Sequence, residues 1–245
     1  MPGAFASTLT RVVDAPVAYA YLVKLIQALG VGKCTVITFN YDIAADYAFQ
    51  LNRVPFTYCL TDEIDGEVRI PILKLHGSLN WGRCSIPSCG LITNQSGRAE
   101  PEMIDNKIAL LRCSRHFARM TCRVCAGPVE PEPVIVPPTW NKGEYHLTLG
   151  PVWQRAAAEL SRANNIFVFG YSLPTVDSFF RSLYALGSVG SPMLKRFIVH
   201  DIDEAVHSRF LSILGPGAIA AFQESREEFQ VALRSLSIHL LGYGV

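Results

Sequence analysis

The chain has 245 residues, 49% of them hydrophobic and 18% charged, with a formal net charge of +1. That length and apolar content imply a sizeable core, either one large domain or a domain carrying an insert. The near-zero charge excludes a global pull towards nucleic acid or anionic membrane, and no apolar run reaches the roughly 20 residues of a bilayer span. The start, "MPGAFASTLTRVV", has no continuous apolar segment of the secretory kind, so a cytoplasmic protein is expected.

In chain order, apolar periodicity predicts a helix over 15–29, "APVAYAYLVKLIQAL", closed by Gly30. A short buried strand, "CTVITF" (34–39), runs into "NYD", followed by a helical "IAADYAFQL" and a strand "VRIPILKL" that ends on His76. From Trp81 to about Pro133 cysteine, arginine, glycine and proline dominate. Alternation then resumes with a strand at "PVIVPP", a helix near 147–163 and a strand "NIFVFG". A helix near 175–186, a strand "RFIVHD", a helix near 204–214 and a last strand and helix follow. Short apolar strands alternating with helices predict an α/β fold, a Rossmann-like parallel sheet with helices on both faces. The expected domains are 1–80 with 134–245, interrupted by an inserted small zinc-binding module at 81–133.

The insert carries "CSIPSCG" and "CRVCAG", each pair closed by a nearby glycine. Two such knuckles, Cys84 with Cys89 and Cys122 with Cys125, make a four-thiolate tetrahedral site for one zinc ion. An insert this poor in large apolar residues needs such a staple, and four thiolates leave no open position for substrate, so the zinc is structural. Cys113 and His116 are spare ligand candidates that can replace Cys84 or Cys89. Seven basic residues between Arg83 and Arg123 stand against Glu100, Glu102 and Asp105, which reads as a solvated face or as a surface for an acidic partner.

Ligands of parallel sheets bind beyond the carboxyl ends of the strands. Four polar clusters fall there: Thr38, Asn40 and Asp42; His76, Gly77 and Ser78; Gly170, Tyr171 and Ser172; His200, Asp201 and Asp203. Each alone is compatible with a turn or a helix cap, as Ser172 and Asp42 would be. "GVGKCT" (30–35) is not a phosphate loop. It has no glycine five residues before Gly32, Cys34 replaces Ser/Thr, and a strand follows where a helix is required.

The ordered set "TFNYD", "LKLHGSLNW", paired cysteine knuckles and "GYSLPTVD", over roughly 34–205, resembles the sirtuin superfamily, above all its bacterial sirtuin-like branch. The resemblance implies a Rossmann-type NAD domain with a zinc module inserted after a catalytic histidine. On it, His76 matches the catalytic histidine and Asn40 the asparagine beside the nicotinamide ribose. Asp42 resembles the aspartate that shapes the nicotinamide pocket, and Thr38 lies in the same motif. Gly170 and Ser172 are similar to the turn that holds the adenosine ribose and phosphates, and Asp201 lies near the adenine side. The implied activity is cleavage of the nicotinamide–ribose bond of NAD, by water in the antiphage hydrolase branch or by the acetyl oxygen of a lysine side chain in the deacylases. An acylated protein or a defence partner is implied with it.

Those residue types suit the chemistry. Nicotinamide leaves a cationic pyridinium as a neutral molecule and needs no acid, so the site must hold the ribose, stabilise an oxocarbenium-like state and place a nucleophile. A histidine with an ordinary pKa near 6.5 accepts a ribose hydroxyl proton at neutral pH. The alternative for His76 is a histidine hydrogen-bonded within a turn.

The family's first strand and glycine-rich "GAG-x-S" pyrophosphate loop have no counterpart here, because "NYD" is reached by residue 42. The chain is therefore expected to be either part of a longer product or a reduced relative. A sheet without that strand has unpaired edges and favours association between copies. Two rival functions remain. A serine hydrolase would use Ser172 with Asp201 or Asp203 and His207 or His239, although Pro174 takes the place of the last glycine of G-x-S-x-G. A zinc-stapled, non-catalytic nucleotide-binding or interaction module would need no base.

Overall fold

The computed structural model describes residues 17–60, 67–94, 102–104, 107–109, 117, 120–136, 143–174 and 194–244. Helix α1 (Val17–Leu29) directs Val23 and Ile26 into the main core, and Gly30, at φ +106°, ends it by turning the chain into a single 3-10 turn. "GVGK" is thus a helix stop leading to an extended Cys34, as its residues predict. Strand β1 (Val36–Thr38), helix α2 (Ala44–Leu51), strand β2 (Phe56–Thr57) and strand β3 (Ile70–Lys74) follow. All five residues of β3 are buried because it is central, parallel to β1 on one side and to β2 on the other. Pro71 stands opposite Thr57 and has no N–H to offer the ladder, and the pairing with β2 stops there.

Strand β4 (Gly77–Cys84) departs immediately after His76 and starts a different sheet. It runs antiparallel to β5 (Ile92–Asn94) and to β8 (Val129–Ile135), while β6 (Glu102–Ile104) and β7 (Lys107–Ala109) form a separate hairpin. Two expectations change here. The antiparallel sheet begins at Gly77, in the His76–Gly77–Ser78 cluster read as the polar end of the parallel strand. The "PVIVPP" strand belongs to this sheet, where Ile135 pairs with Gly77, and not to the parallel one. Apolar runs carry no direction, so only pairing separates the two cases.

Helix α3 (Gly143–Arg162) covers the first sheet with Leu149, Val152, Trp153, Ala156 and Leu160. Strand β9 (Asn165–Phe169), strand β10 (Arg196–His200), helix α4 (Glu204–Leu211), helix α5 (Pro216–Ala220), strand β11 (Phe222–Ser225) and helix α6 (Phe229–Leu241) complete the chain. Strand β10 lies between β9 and β11, and both pairings are parallel. The predicted helix near 175–186, Cys113 and His116 lie outside the described residues.

The α/β class therefore holds, with parallel strands and packed helices, but the strands form two groups of three, β1–β3–β2 and β11–β10–β9. Among the described residues β1 and β9 each pair on one side only, and both are only half-buried although apolar. The groups are held together by side chains. Phe39 and Ile166 pack into the core of both, and Leu25 of α1 packs with Leu233 and Leu236 of α6 against Phe167 and Phe169. No helix among the described residues is long and apolar enough to cross a membrane.

Candidate functional site

In each parallel group the strands end on one edge, and the loops there carry the polar clusters. After β1, the Thr38 hydroxyl accepts the Asn40 amide at 3.0 Å, which bends the chain outwards and leaves Asn40 exposed. Asp42 Oδ1 accepts the Ala44 amide at 2.9 Å at the start of α2. Thr38 and Asp42 thus shape the turn that presents Asn40. Tyr19 of α1 lies beside Asn40, a neighbour that no spacing in the sequence announced. Burial, first, and the carboxylates of Asp42 and Asp46 raise the pKa of that phenol, so it stays protonated at neutral pH.

After β3, His76 is half-buried with its Nε2 closed to solvent. Three contacts place it. The Leu75 amide donates to the Thr38 carbonyl at 2.9 Å, the Trp153 indole N–H donates to the Leu75 carbonyl at 3.0 Å, and the Val136 amide donates to the His76 carbonyl at 2.9 Å. Gly77 then turns at φ +78°. A Cβ there would lie 2.0 Å from the Val134 carbonyl oxygen, so only glycine lets β8 come this close to the histidine.

Phe39 joins the loops. Its ring lies edge-on to the His76 imidazole, with centroids 5.3 Å apart at 74°, and stacks on Tyr171 at 4.0 Å and 5°. The ends of β1, β3 and β9 therefore meet at one aromatic cluster. Gly170 turns there at φ +59°, and its amide donates to the His200 carbonyl at 3.3 Å. The Ser172 carbonyl accepts Arg209 Nε at 2.8 Å. Asp201 Oδ1 accepts the Asp203 amide at 2.9 Å, and Asp203 Oδ1 caps α4 through the Ala205 amide at 3.0 Å. Asp201 and Ser172 are thus held at the second group's edge, but the contacts reaching towards His76 run through Phe39 and Tyr171.

The hydrolase constellation is not assembled. Among the described residues the histidine–carboxylate approaches are His200 to Glu227 at 3.8 Å and His207 to Glu224 at 3.6 Å, and neither involves Asp201 or Asp203. His207 is buried at 2% exposure, and His239 lies in the last turn of α6.

The four predicted cysteines converge. Their sulfurs all lie within 4.8 Å of one another, with Cys84 and Cys125 at 3.4 Å and Cys89 and Cys122 at 3.7 Å. Zinc–sulfur bonds of about 2.3 Å in a tetrahedron set sulfurs about 3.8 Å apart, so the group fits a zinc ion. In the first knuckle the Cys89 and Gly90 amides both donate to the Ile86 carbonyl, and Gly90 takes φ +54°. The second knuckle differs from expectation: Ala126, not the glycine, adopts the left-handed turn at φ +56°. Gly127 is needed for space, since a Cβ there would lie 2.5 Å from Ile86 Cγ1. Burial pushes the Cys84 thiol up to about 12, whereas the Cys125 and Val124 amides bring Cys122 down to about 6. Cys122 is therefore the thiol readiest to be a thiolate, and an arriving cation would displace the protons of the others.

No protein-family model matches the chain, and no curated protein matches it. Among solved structures it is similar to a point mutant of a Sir2 homologue in complex with ADP ribose, at 19% identity and a TM-score of 0.49, over 97% of this chain and 72% of that one. It is also similar to a Sir2–p53 peptide–NAD+ structure, at 15% identity and a TM-score of 0.45, over 96% and 73%. A third is Sir2Tm bound to a propionylated peptide, at 15% identity and a TM-score of 0.44, over 92% and 70%.

Proposed function

We propose that this chain binds NAD at the edge where β1, β3 and β9 end and cleaves its nicotinamide–ribose bond, with water as the acceptor. The observation that carries the reading is the Phe39 cluster, which joins the loops of Asn40, His76 and Gly170–Tyr171 in the motif order that resembles the sirtuin superfamily. Asn40, turned outwards by Thr38 beside Tyr19, orients the ribose or the attacking water. His76 accepts a proton from a ribose hydroxyl or from that water as the neutral nicotinamide departs, and its partly closed setting keeps bulk solvent away. Asp42 borders the nicotinamide side, while Gly170, Ser172 and Asp201 face the adenosine half. One zinc ion on Cys84, Cys89, Cys122 and Cys125 anchors the end of β4, the strand that begins beside His76. It is structural, since four thiolates complete its coordination.

The choice of water over an acylated lysine follows the resemblance of "NYD" and "GYSLPTVD" to the bacterial branch, with a cytoplasmic setting. The test is nicotinamide release from NAD, with and without an acetylated peptide, by the chain and by His76→Ala. The expected result is release without peptide, reduced by about 10²–10⁴-fold in the variant. Release only with peptide would reassign the chain to deacylation, and equal rates in chain and variant would remove His76 from the reaction.

A further inference from the structure

We propose that a buried polar chain, Lys74–Asp46–Tyr58–Asn80–Ser78, is a positioning device that holds the Asn40 turn and the residues on both sides of His76 in one arrangement. It rests on the NAD-cleavage reading. Lys74, the last residue of β3, is 1% exposed, a place where an ammonium loses its hydration and a leucine would pack at no such cost. Its Nζ donates to Asp46 Oδ2 at 2.9 Å and to the main-chain carbonyl of Asp42 at 2.5 Å. The second partner is telling, because it is the backbone of the turn that presents Asn40. Asp46, in the first turn of α2, uses its other oxygen to accept the Tyr58 hydroxyl proton. The Tyr58 oxygen accepts Asn80 Nδ2 at 2.8 Å, and Asn80 Oδ1 accepts the Ser78 hydroxyl at 2.6 Å.

All five side chains are 7% exposed or less, and each is hydrogen-bonded within the chain. The network starts two residues before His76 and ends two residues after it, and Lys74 ties it to the Asn40 turn. Main-chain bonds run alongside: Leu75 N to Thr38 O and Leu79 N to Tyr41 O, both 2.9 Å. The segments bearing the proposed base and the proposed asparagine are thus zipped through their backbones, and the polar chain clamps them from within. A satisfied buried network of this kind permits one geometry and resists sliding, which a greasy contact does not. These are positioning residues that act through Asn40 and His76. A misplacement of about 1 Å between reacting groups costs about 10²-fold in rate, so the clamp acts on kcat.

The experiment uses the full chain and two variants. The double variant Lys74→Met/Asp46→Leu replaces the ion pair with apolar side chains, an exchange that buried pairs tolerate in stability. Tyr58→Phe removes a single hydroxyl and keeps the ring packed edge-on to Trp81. Two readouts are taken, kcat and KM for nicotinamide release from NAD, and amide hydrogen exchange at Leu75 and Leu79. The expected result is kcat lower by about 10- to 100-fold with KM within about 3-fold, and faster exchange at those two amides. The amides of Phe197 and Val199 in β10 should keep their protection. Folded variants with unchanged kcat, or with unchanged exchange at Leu75 and Leu79, overturn the proposal. If the double variant does not fold, Tyr58→Phe decides it by the same criteria. If the parent chain releases no nicotinamide, the NAD reading falls by itself, and the exchange rates alone decide whether the clamp exists.

Discussion

Replacing Gly77 with alanine perturbs the junction between the parallel sheet and the zinc-bearing sheet at the residue after His76. The substitution carries two costs. Gly77 sits at φ +78°, where an L side chain is strained by about 1–2 kcal/mol. The new Cβ would lie 2.0 Å from the Val134 carbonyl oxygen and 2.9 Å from its carbon, closer than real Cβ atoms approach. Strand β8 must therefore retreat by about 1 Å, an overpacking cost of about 1–3 kcal/mol. That retreat also stretches the 2.9 Å bond from the Val136 amide to the His76 carbonyl. The total is about 2–5 kcal/mol, a large share of the roughly 5–15 kcal/mol of a domain this size. Urea unfolding of Gly77→Ala beside the parent measures it, with the expected signature of a lower midpoint at an unchanged slope. Nicotinamide release should fall as well, because the backbone that seats the imidazole moves. A stability loss below about 1 kcal/mol at equal slope would mean that β8 does not press on Gly77 and that His76 is seated in some other way.

The remaining predictions concern the metal and pH. Protein purified without chelator should contain about one equivalent of zinc by elemental analysis. Cys122→Ser should lower that content and the melting temperature together; well-folded protein free of metal would sink the assignment. Burial lowers the pKa of His200, with Glu227 acting in the opposite direction and His207 adding to the fall. The folded state then binds fewer protons at this site than the unfolded chain, so stability is full above the ordinary histidine value of about 6.5 and is lost as pH falls from there towards the folded value. His200→Phe, which preserves the stack on Phe169 at 4.8 Å, should flatten that acid slope in denaturation curves taken between pH 7.5 and about 5. An equally steep slope in the variant would place the acid sensitivity elsewhere.

Much of this protein was legible along the chain. Period and breakers located α1, β3, β10 and α4, because an amphipathic helix or a largely buried strand writes its environment into consecutive residues. Glycine-closed cysteine pairs announced the metal group, since a knuckle is a local turn whose ligands need only a few residues to be specified. Even there the local rule was incomplete: Ala126 took the left-handed turn and Gly127 was required by Ile86, a neighbour from the other knuckle. What the chain could not disclose is whatever depends on partners distant in sequence. That β4 leaves the parallel sheet at Gly77, that β8 joins it, and that β1 and β9 lie at the edges of separate groups are facts of pairing, and an apolar strand reads alike in either direction. The same holds at the site. Neither Lys74, a lone charge in an apolar strand, nor Tyr19, within the first helix, was singled out by any motif. Only folding brings Lys74 to Asp46 and the Asp42 carbonyl, because burial is a property of the assembled core, not of any one segment, and Tyr19 beside Asn40 is likewise a meeting of segments distant in sequence.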